Sequence, residues 1–349
     1  MSDLLEKITQ IHYITPYFYV PLSFCLGRCS FEKMRAFFHE YTRWANWEVR
    51  MRLGRETNLP SLYNGKKLLT MEESNKFIGD AIERGEPFMS GRYGSVEMSA
   101  VWRVRDDYKG FITPVDKDKT LRNLIENAGF FPEDKKFLIK FSELMRWSAS
   151  QVNLIGIWFN PMEEYTLRKY GQNPEYTNLH CLDPFFADSP WSAKLEGKNV
   201  VVIHPFAKSI ISQYSKRELL FPGKNILPEF NLRVVKAVQT IAGTKDSRFN
   251  NWFEALDYMY NEAMSKDFDV AIIGCGAYGF PLAAKLKAAG KIAIHMGGVS
   301  QLLFGIKGKR WAVDYGGAYT EMTKNENWTY PLPEETPEKF KTVEKGCYW

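Results

Sequence analysis

Apolar runs and amphipathic stretches alternate along the second half of the chain. Continuous apolar or β-branched runs, typical of buried parallel strands, predict strands at 198–204, 232–240, 267–274 and 291–295. Between these runs, apolar residues at helical spacing predict helices at 207–217, 250–265 and 280–289. Strands that alternate with helices imply a parallel sheet with helices on both faces. We therefore expect an α/β fold.

The first half of the chain is richer in helical patterns. Thr70-Met-Glu-Glu73 is a capping box, so a helix is expected to begin there and to end near Gly85. A short strand at 87–90 follows, and then a helix capped by Ser95 that runs to about Arg103. Further amphipathic patterns predict helices at 31–53, 117–128 and 133–148. We predict a helical, aromatic-rich N-terminal appendage at 1–69, a Rossmann-like sheet domain at 70–325 and an irregular C-terminal tail at 326–349.

The composition is that of an ordinary globular protein. Of 349 residues, 45% are hydrophobic and 25% are charged, which suits one large domain with an appendage, or two domains. The net charge of +5 is too small to indicate a nucleic-acid partner, but it suits phosphorylated ligands or an anionic membrane surface. Five cysteines without a CxxC pair argue against a disulfide framework or a zinc site. They favour a reducing, cytoplasmic compartment.

An uncharged aromatic segment lies near the N-terminus. No cationic stretch leads into it, which argues against a secretory signal. Between Lys7 and Arg28 lie twenty uncharged residues, a length that would span a bilayer. Gln10, Pro16 and Pro21 make this segment a poor apolar helix. We expect it to pack in the core or to rest on a membrane surface, so peripheral contact with the inner face of the membrane is part of the prediction.

The glycine-rich segment Gly274-Cys-Gly276-Ala-Tyr-Gly279 follows a predicted strand and opens a predicted helix. Glycines there let the backbone turn tightly and approach a pyrophosphate. The helix N-terminus adds N–H groups and the positive end of the helix dipole. The segment therefore predicts a phosphate-binding turn; the alternative is a tight turn without a ligand.

The ligand most often associated with this pattern is NAD. NAD binding needs an acidic residue at the end of the next strand to hold the ribose hydroxyls. The corresponding positions are Ile294, His295 and Met296, so the acid is missing. A nucleotide held in another way fits better, while NADP remains an alternative through Lys307, Lys309 or Arg310.

Further polar residues are predicted at the same edge of the sheet. His204 and His295 stand at the carboxyl ends of predicted strands, where ligands of open α/β sheets bind. Lys208 and Ser209, near the start of the next helix, suit phosphate oxygens. Gly297-Gly298-Val-Ser-Gln301 forms a second flexible loop after the last strand.

A second junction of strand, turn and helix is Gly91-Arg92-Tyr-Gly94-Ser95-Val-Glu97. Arg92 can make a forked contact with phosphate or carboxylate. Glu97, in the first helical turn, can act as a base toward a hydroxyl or contact a metal. Glutamate is also favoured at this position by the helix dipole alone.

These motifs together resemble the GT-D-fold glycosyltransferases, bacterial enzymes of glycan assembly. The resemblance rests on Arg92-Tyr-Gly94-Ser-Val-Glu97, on the Ile-Gly-Cys-Gly turn and on the Gly-Gly-Val-Ser-Gln loop, and it covers roughly 85–315. It implies a Rossmann-like sheet, a nucleotide-sugar donor, UDP-linked above all, and transfer of the sugar to a hydroxyl of an acceptor glycan in polysaccharide or glycoprotein assembly.

The resemblance also implies site residues. The family pattern has an Asp-x-Glu element associated with a divalent metal and catalysis, but Ser95 replaces the first acid here. Glu97 is then the matched catalytic candidate, and dependence on Mn²⁺ or Mg²⁺ is an open question. Under this hypothesis the donor is bound by Arg92, Gly94, Ser95, His204, Lys208, Ser209, Gly274, Gly276, Gly279, His295, Gly297, Gly298 and Gln301.

Two other classes of function stay open at this point. An NADP-dependent oxidoreductase is favoured by the glycine pattern alone. A non-catalytic protein that binds a nucleotide or a glycan is favoured by the incomplete acidic element.

Overall fold

The computed structural model describes residues 30–52, 62–112, 120–241, 244, 246–342 and 344–349. The aromatic segment between Lys7 and Arg28 lies outside the described residues. Within the described part of the chain, no helix combines the length and apolarity that crossing a bilayer requires.

The core of the fold is a seven-stranded, wholly parallel sheet with the order β5-β4-β3-β9-β8-β6-β7. A separate antiparallel ribbon is formed by β1 and β2. The predicted α/β class with a parallel sheet is therefore confirmed. The strands are β1 (Leu62–Tyr63), β2 (Lys66–Lys67), β3 (Phe88–Gly91), β4 (Leu154–Ile157), β5 (Glu175–Asn178), β6 (Asn199–His204), β7 (Asn231–Lys236), β8 (Val270–Ile273) and β9 (Ile292–His295).

Helices cover both faces of the sheet. Successive strand residues point to opposite faces, so Val201 and Ile203 of β6 join one apolar cluster while Val200 and Val202 join the other. The helices are α1 (Phe31–Arg52), α2 (Met71–Arg84), α3 (Ser95–Arg103), α4 (Thr120–Ala128), α5 (Lys135–Ala149), α6 (Glu163–Tyr170), α7 (Ala207–Tyr214), α8 (Arg217–Leu220), α9 (Trp252–Met264), α10 (Gly279–Ala288), α11 (Ser300–Leu303) and α12 (Gly317–Met322).

The two ends of helix α2 are fixed by its local sequence. Thr70 accepts from the N–H of Glu73, whose carboxylate accepts from the N–H of Thr70, and Gly85 closes the helix in the left-handed conformation. Its buried face includes Ile78 and Ile82, which pack on the sheet side that carries Phe88. The predicted capping box and helix end are both confirmed.

Several predicted boundaries were wrong. The strand predicted at 232–240 ends at Lys236, which leaves 237–241 as a loop at the carboxyl edge of the sheet. The helix predicted at 207–217 is divided into α7 and α8. Strands β4 and β5 were not predicted, because each has only four residues and is too short to show a period of its own.

Helix α1 is held to the sheet domain by buried charge. The ammonium of Lys33 donates to the carboxylate of Asp106 at 2.7 Å and to the carbonyl of Val104 at 3.1 Å. Lys169 donates to the other carboxylate oxygen of Asp106 at 2.5 Å. Burial raises the pKa of Asp106, but the two ammonium groups outweigh it and hold that pKa below its usual range. The docking is therefore present at neutral pH and lost as the pH falls and Asp106 is protonated.

Replacement of Asp106 tests this docking. Asp106→Asn removes the carboxylate that is paired with the ammonium of Lys33, a side chain that is 3% exposed. We expect the free energy of unfolding to fall by about 3 kcal/mol, the usual cost of breaking a buried ion pair, and α1 to lose protection in hydrogen exchange. Asp107→Asn is the control, since Asp107 pairs with Arg105 at the surface. Equal stability of the two variants would contradict this role of Asp106.

Candidate functional site

A pocket of about 160 Å³ opens at the carboxyl edge of the sheet. It lies beyond the ends of four adjacent strands, β3, β9, β8 and β6. The chain leaves β6 toward β7 on one side and leaves the adjacent β8 toward β9 on the other, so the direction of strand addition reverses between β6 and β8. Ligands of open α/β sheets bind at such a switch point.

Most of the predicted site residues line this pocket, although they come from segments far apart in the chain. Three do not: Lys208, Ser209 and Gly279. Those that do are Arg92, Gly94, Ser95, Glu97, His204, Gly274, Gly276, His295, Gly297, Gly298 and Gln301.

Arg92 supplies the cationic group of the pocket. Its guanidinium carbon lies 4.9 Å from the ring centre of Trp158, and this contact restricts the orientation of the guanidinium group. A methyl group at position 297 would lie 2.4 Å from Nη2 of Arg92, so the loop after β9 needs glycine there. Within the described residues this guanidinium makes no hydrogen bond and no ion pair, although it lies near enough to the buried carboxyl group of Asp183 to offset part of the rise in pKa that burial causes there. Its donors are therefore available to an anionic ligand.

Glu97 is the anionic group of the same pocket. It stands in the first turn of α3, and its carboxylate lies above Gly94, where a methyl group would be 2.0 Å from Oε2. Gly94, and not the predicted Ser95, is the N-cap of this helix. The glycine thus leaves room for the carboxylate at the rim of the pocket.

Two helix N-termini face the pocket. The first turn of α3 contributes Ser95, Val96 and Glu97, and the turn 276–278 leads from β8 into α10. Backbone N–H groups and the positive ends of two helix dipoles therefore meet at this site. Gly276 adopts a φ of +58° there and has open space around its Cα, whereas Gly274 packs so tightly on Ser300 that a methyl group would overlap it.

Both histidines of the pocket are buried and neutral. Burial lowers the pKa of His204 to about 3, and burial together with Arg92 lowers the pKa of His295 to about 3. The Nδ1 atom of His204 accepts from the N–H of Phe206 at 3.0 Å, which leaves Nε2–H as a donor. The Nδ1 atom of His295 lies 3.4 Å from the carbonyl of Ile273. The positive charge of the pocket therefore comes from Arg92 and from backbone dipoles.

Lys208 and Ser209, which the sequence predicted to bind the donor, do not line this pocket. The carboxylate of Glu335 occupies the start of α7 and accepts from the N–H groups of both residues, at 2.7 and 3.1 Å. The hydroxyl of Ser209 donates to the same carboxylate, while the ammonium of Lys208 turns outward to Glu334. An anion from the C-terminal tail thus fills the position that was expected to bind phosphate.

Two other predicted residues have a packing role. A methyl group at Gly279 would lie 2.3 Å from the ring of His295, so this glycine brings α10 against the histidine. The amide nitrogen of Gln301 is within hydrogen-bond distance of the carbonyl oxygens of Ile306, Lys307 and Tyr348. Gln301 therefore braces the loop and the tail at the edge of the pocket.

Some pocket residues were missed from the sequence. Trp158 follows the unpredicted strand β4, and residues 238–241 follow the true end of β7. Tyr348 and Trp349 of the C-terminal tail close one side, where the Tyr348 ring packs on Gly298. Nothing in the sequence around these two aromatic residues predicts that they lie at the pocket.

The ligands available for a metal are few. Within the described residues, no group of three or more His, Cys, Asp or Glu side chains is arranged to hold one. Glu97 is the single carboxylate among the described residues that line the pocket. Mg²⁺ sites in nucleotide enzymes use one or two protein carboxylates with the substrate phosphates, so Glu97 alone is the smallest such set.

Comparisons with known proteins give a likeness of structure only. No family model matches the chain, and no curated protein matches it. One similar solved structure is described as "Selenomethionine substituted structure of domain of unknown function 1792 (DUF1792)", at 12% identity and a TM-score of 0.40. Another is described as "The highly conserved domain of unknown function 1792 has a distinct glycosyltransferase fold", at 13% identity and a TM-score of 0.40. Each alignment covers 78% of this chain and 93% of the other.

At these identities and TM-scores, neither structure carries an argument about this chain, so the chemistry of the pocket rests on the residues of the pocket itself.

The close approach of Gly297 to Arg92 gives a test of the phosphate-binding pocket. Gly297→Ala places a methyl group against the guanidinium and displaces it. We expect the affinity for pyrophosphate, measured by calorimetry, to fall at least tenfold. Gly290→Ala is the matched control, because Gly290 also has a positive φ but open space around it. Both variants bear the same backbone strain of about 1–2 kcal/mol. Equal affinities would show that Arg92 does not need this glycine.

Proposed function

We propose that the protein is a glycosyltransferase that moves a sugar from a nucleotide-sugar donor to a hydroxyl of a glycan acceptor. The observation that carries the proposal is that one pocket is lined by both a cationic side chain, Arg92, and a carboxylate, Glu97. A cation suits the leaving diphosphate, and a carboxylate suits the attacking hydroxyl. Transfer from a nucleotide sugar needs both functions within the same site.

The donor side is proposed to be Arg92 with the glycine loops. The forked guanidinium can bind two phosphate oxygens at once, and its stacking on Trp158 limits the orientations it has to lose. Backbone N–H groups at the starts of α3 and of the 276–278 turn add donors without added charge. These groups would stabilise the negative charge that grows on the diphosphate as the sugar–phosphate bond breaks.

The acceptor side is proposed to be Glu97. Its carboxylate takes the proton of the acceptor hydroxyl, the hydroxyl oxygen bonds to the anomeric carbon, and the nucleoside diphosphate leaves with the electron pair of the broken bond. The Nε2–H of His204 is a neutral donor that can bind a phosphate or sugar oxygen without adding charge.

The resemblance of the motifs favours a UDP-sugar as the donor and a role in polysaccharide or glycoprotein assembly. We extend the proposal to a cytoplasmic site of action, with contact at the inner face of the membrane through the N-terminal region. Nucleic acid is not among the proposed partners, since the net charge is only +5.

Nucleotide binding separates this proposal from an NADP-dependent oxidoreductase. We expect UDP to raise the melting temperature more than NADPH does at equal concentration, because the loops favour a diphosphate without a ribose clamp. Arg92→Ala should weaken UDP binding 10- to 100-fold, because the variant loses the charge-assisted bidentate hydrogen bonds from the guanidinium to the phosphate. Arg105→Ala, at a surface pair with Asp107, should leave it unchanged. Preferential binding of NADPH would overturn the proposed donor.

The role of Glu97 can be separated from metal binding. We propose that Glu97 acts as the base, and coordination to a cation would weaken its carboxylate as a proton acceptor. Glu97→Gln should lower kcat by 10²- to 10⁴-fold while UDP binding persists. Transfer by the wild type should then persist in EDTA. Activity that disappears in EDTA and returns with Mn²⁺ would contradict the metal-free transfer proposed here, and Mn²⁺ binding that is lost in Glu97→Gln would make Glu97 a metal ligand.

A further inference from the structure

A second and larger cavity adjoins the pocket. Its volume is about 450 Å³, within the range of roughly 300–1,000 Å³ that small-molecule sites occupy. It is bounded by α1, α3, α4 and the loop after β4. Ser95, Val96 and Asn127 line both spaces, so the first turn of α3 and one residue of α4 form a shared wall.

The walls of this cavity contain buried polar groups that lack partners. The Ser99 hydroxyl, the Asn160 amide nitrogen and the Trp102 indole nitrogen have no hydrogen-bond partner within the described part of the chain. Ser99 and Asn160 are each 8% exposed, and Trp102 is 3% exposed. A buried polar group without a hydrogen-bond partner destabilises the fold. Three of them around one cavity indicate a site that is completed by a polar ligand.

Two further amides stand on one face of α4. Asn123 and Asn127 are separated by four residues, so both side chains reach the cavity one helical turn apart. Each is half-buried, and neither side chain makes a hydrogen bond within the described residues. A side-chain amide offers one acceptor and two donor hydrogens, which match the adjacent hydroxyls of a sugar ring.

Aromatic side chains provide the apolar part of the cavity. Trp44 of α1 and Trp102 of α3 line it, and Phe37 packs behind Trp102 with ring centres 5.1 Å apart. A tryptophan presents a large apolar face and one polar N–H, and a sugar presents C–H groups on its faces and hydroxyls at its edge. Amides beside tryptophans therefore favour a neutral sugar over a charged or purely apolar ligand, and no charged side chain lines the cavity among the described residues.

The shared wall relates this cavity to the chemistry proposed for the pocket. Glu97 belongs to the same helical turn as Ser95 and Val96, which face both spaces. A sugar in the cavity would present a hydroxyl across this turn toward Glu97, with the donor on the far side. Asn127 lies in the shared wall and would orient that sugar without taking part in the bond-breaking step.

We infer that this cavity is the acceptor subsite and binds the terminal neutral sugar of the acceptor glycan through Asn123, Asn127, Trp44 and Trp102. The inference rests on the proposed glycosyltransferase function. It identifies residues that would select the acceptor, beyond the donor-binding residues already described.

Binding of free sugars tests the inference without turnover. The probes are the methyl glycosides of glucose, galactose and N-acetylglucosamine, and the readout is saturation-transfer NMR on the wild-type full chain. We expect at least one probe to bind and its signal to fall at least fivefold in Asn123→Ala. The side chain of Asn123 makes no hydrogen bond within the described residues, so the variant should keep its fold. Glu126→Ala, on the exposed side of the same helix, is the matched control and should bind as the wild type does.

Two results would overturn the inference: binding of none of the probes by the wild type, or equal binding by Asn123→Ala and the wild type. UDP binding, measured on the same samples, tests the proposed function separately. If UDP binds but the sugars do not depend on Asn123, the acceptor subsite is wrong and the donor site stands. If the sugars depend on Asn123 but UDP does not bind, the proposed transferase function is wrong.

Discussion

The pairing of β3 with β9 is the constraint on which the site depends. Phe88, Met89 and Ser90 pair with Ile292, Ala293 and Ile294, and this is the contact that joins the strands of the first half of the chain to those of the second. Because the pair is parallel, the loop that carries Arg92 and the loop that carries Gly297 leave the sheet side by side. A register error of one residue would turn the flanking side chains to the other face and separate the two loops.

Charge in the pocket follows from burial. Both histidines are deprived of water and stay neutral, so they cannot compensate a diphosphate by charging themselves. Arg92 supplies the positive charge of the pocket, and its guanidinium stacks on Trp158. The carboxylate of Glu335, which occupies the start of α7, keeps that helix from competing for the ligand. The available positive potential is therefore concentrated where β3, β8 and β9 end.

Features that depend on local sequence could be predicted, and features that depend on distant contacts could not. The capping box at Thr70, the run at 199–204 and the glycine turn after β8 each contain their signal within a few residues. The hydrogen bonds that the N–H groups of Lys208 and Ser209 donate to Glu335 span more than a hundred residues, and nothing in the sequence near α7 predicts them. The same holds for Tyr348, which reaches the pocket only because Gly298 leaves space for its ring. Strand prediction also failed where strands were short, as at β4, the strand that Trp158 follows.

The most direct test of the account is a crystal structure of the protein with UDP bound. We predict that the diphosphate lies between the guanidinium of Arg92 and the loops at Gly276 and Gly297, with the carboxylate of Glu97 facing the open side of the β-phosphate. A diphosphate bound at the start of α7 after displacement of Glu335, or at any position out of reach of Arg92, would contradict the central claim.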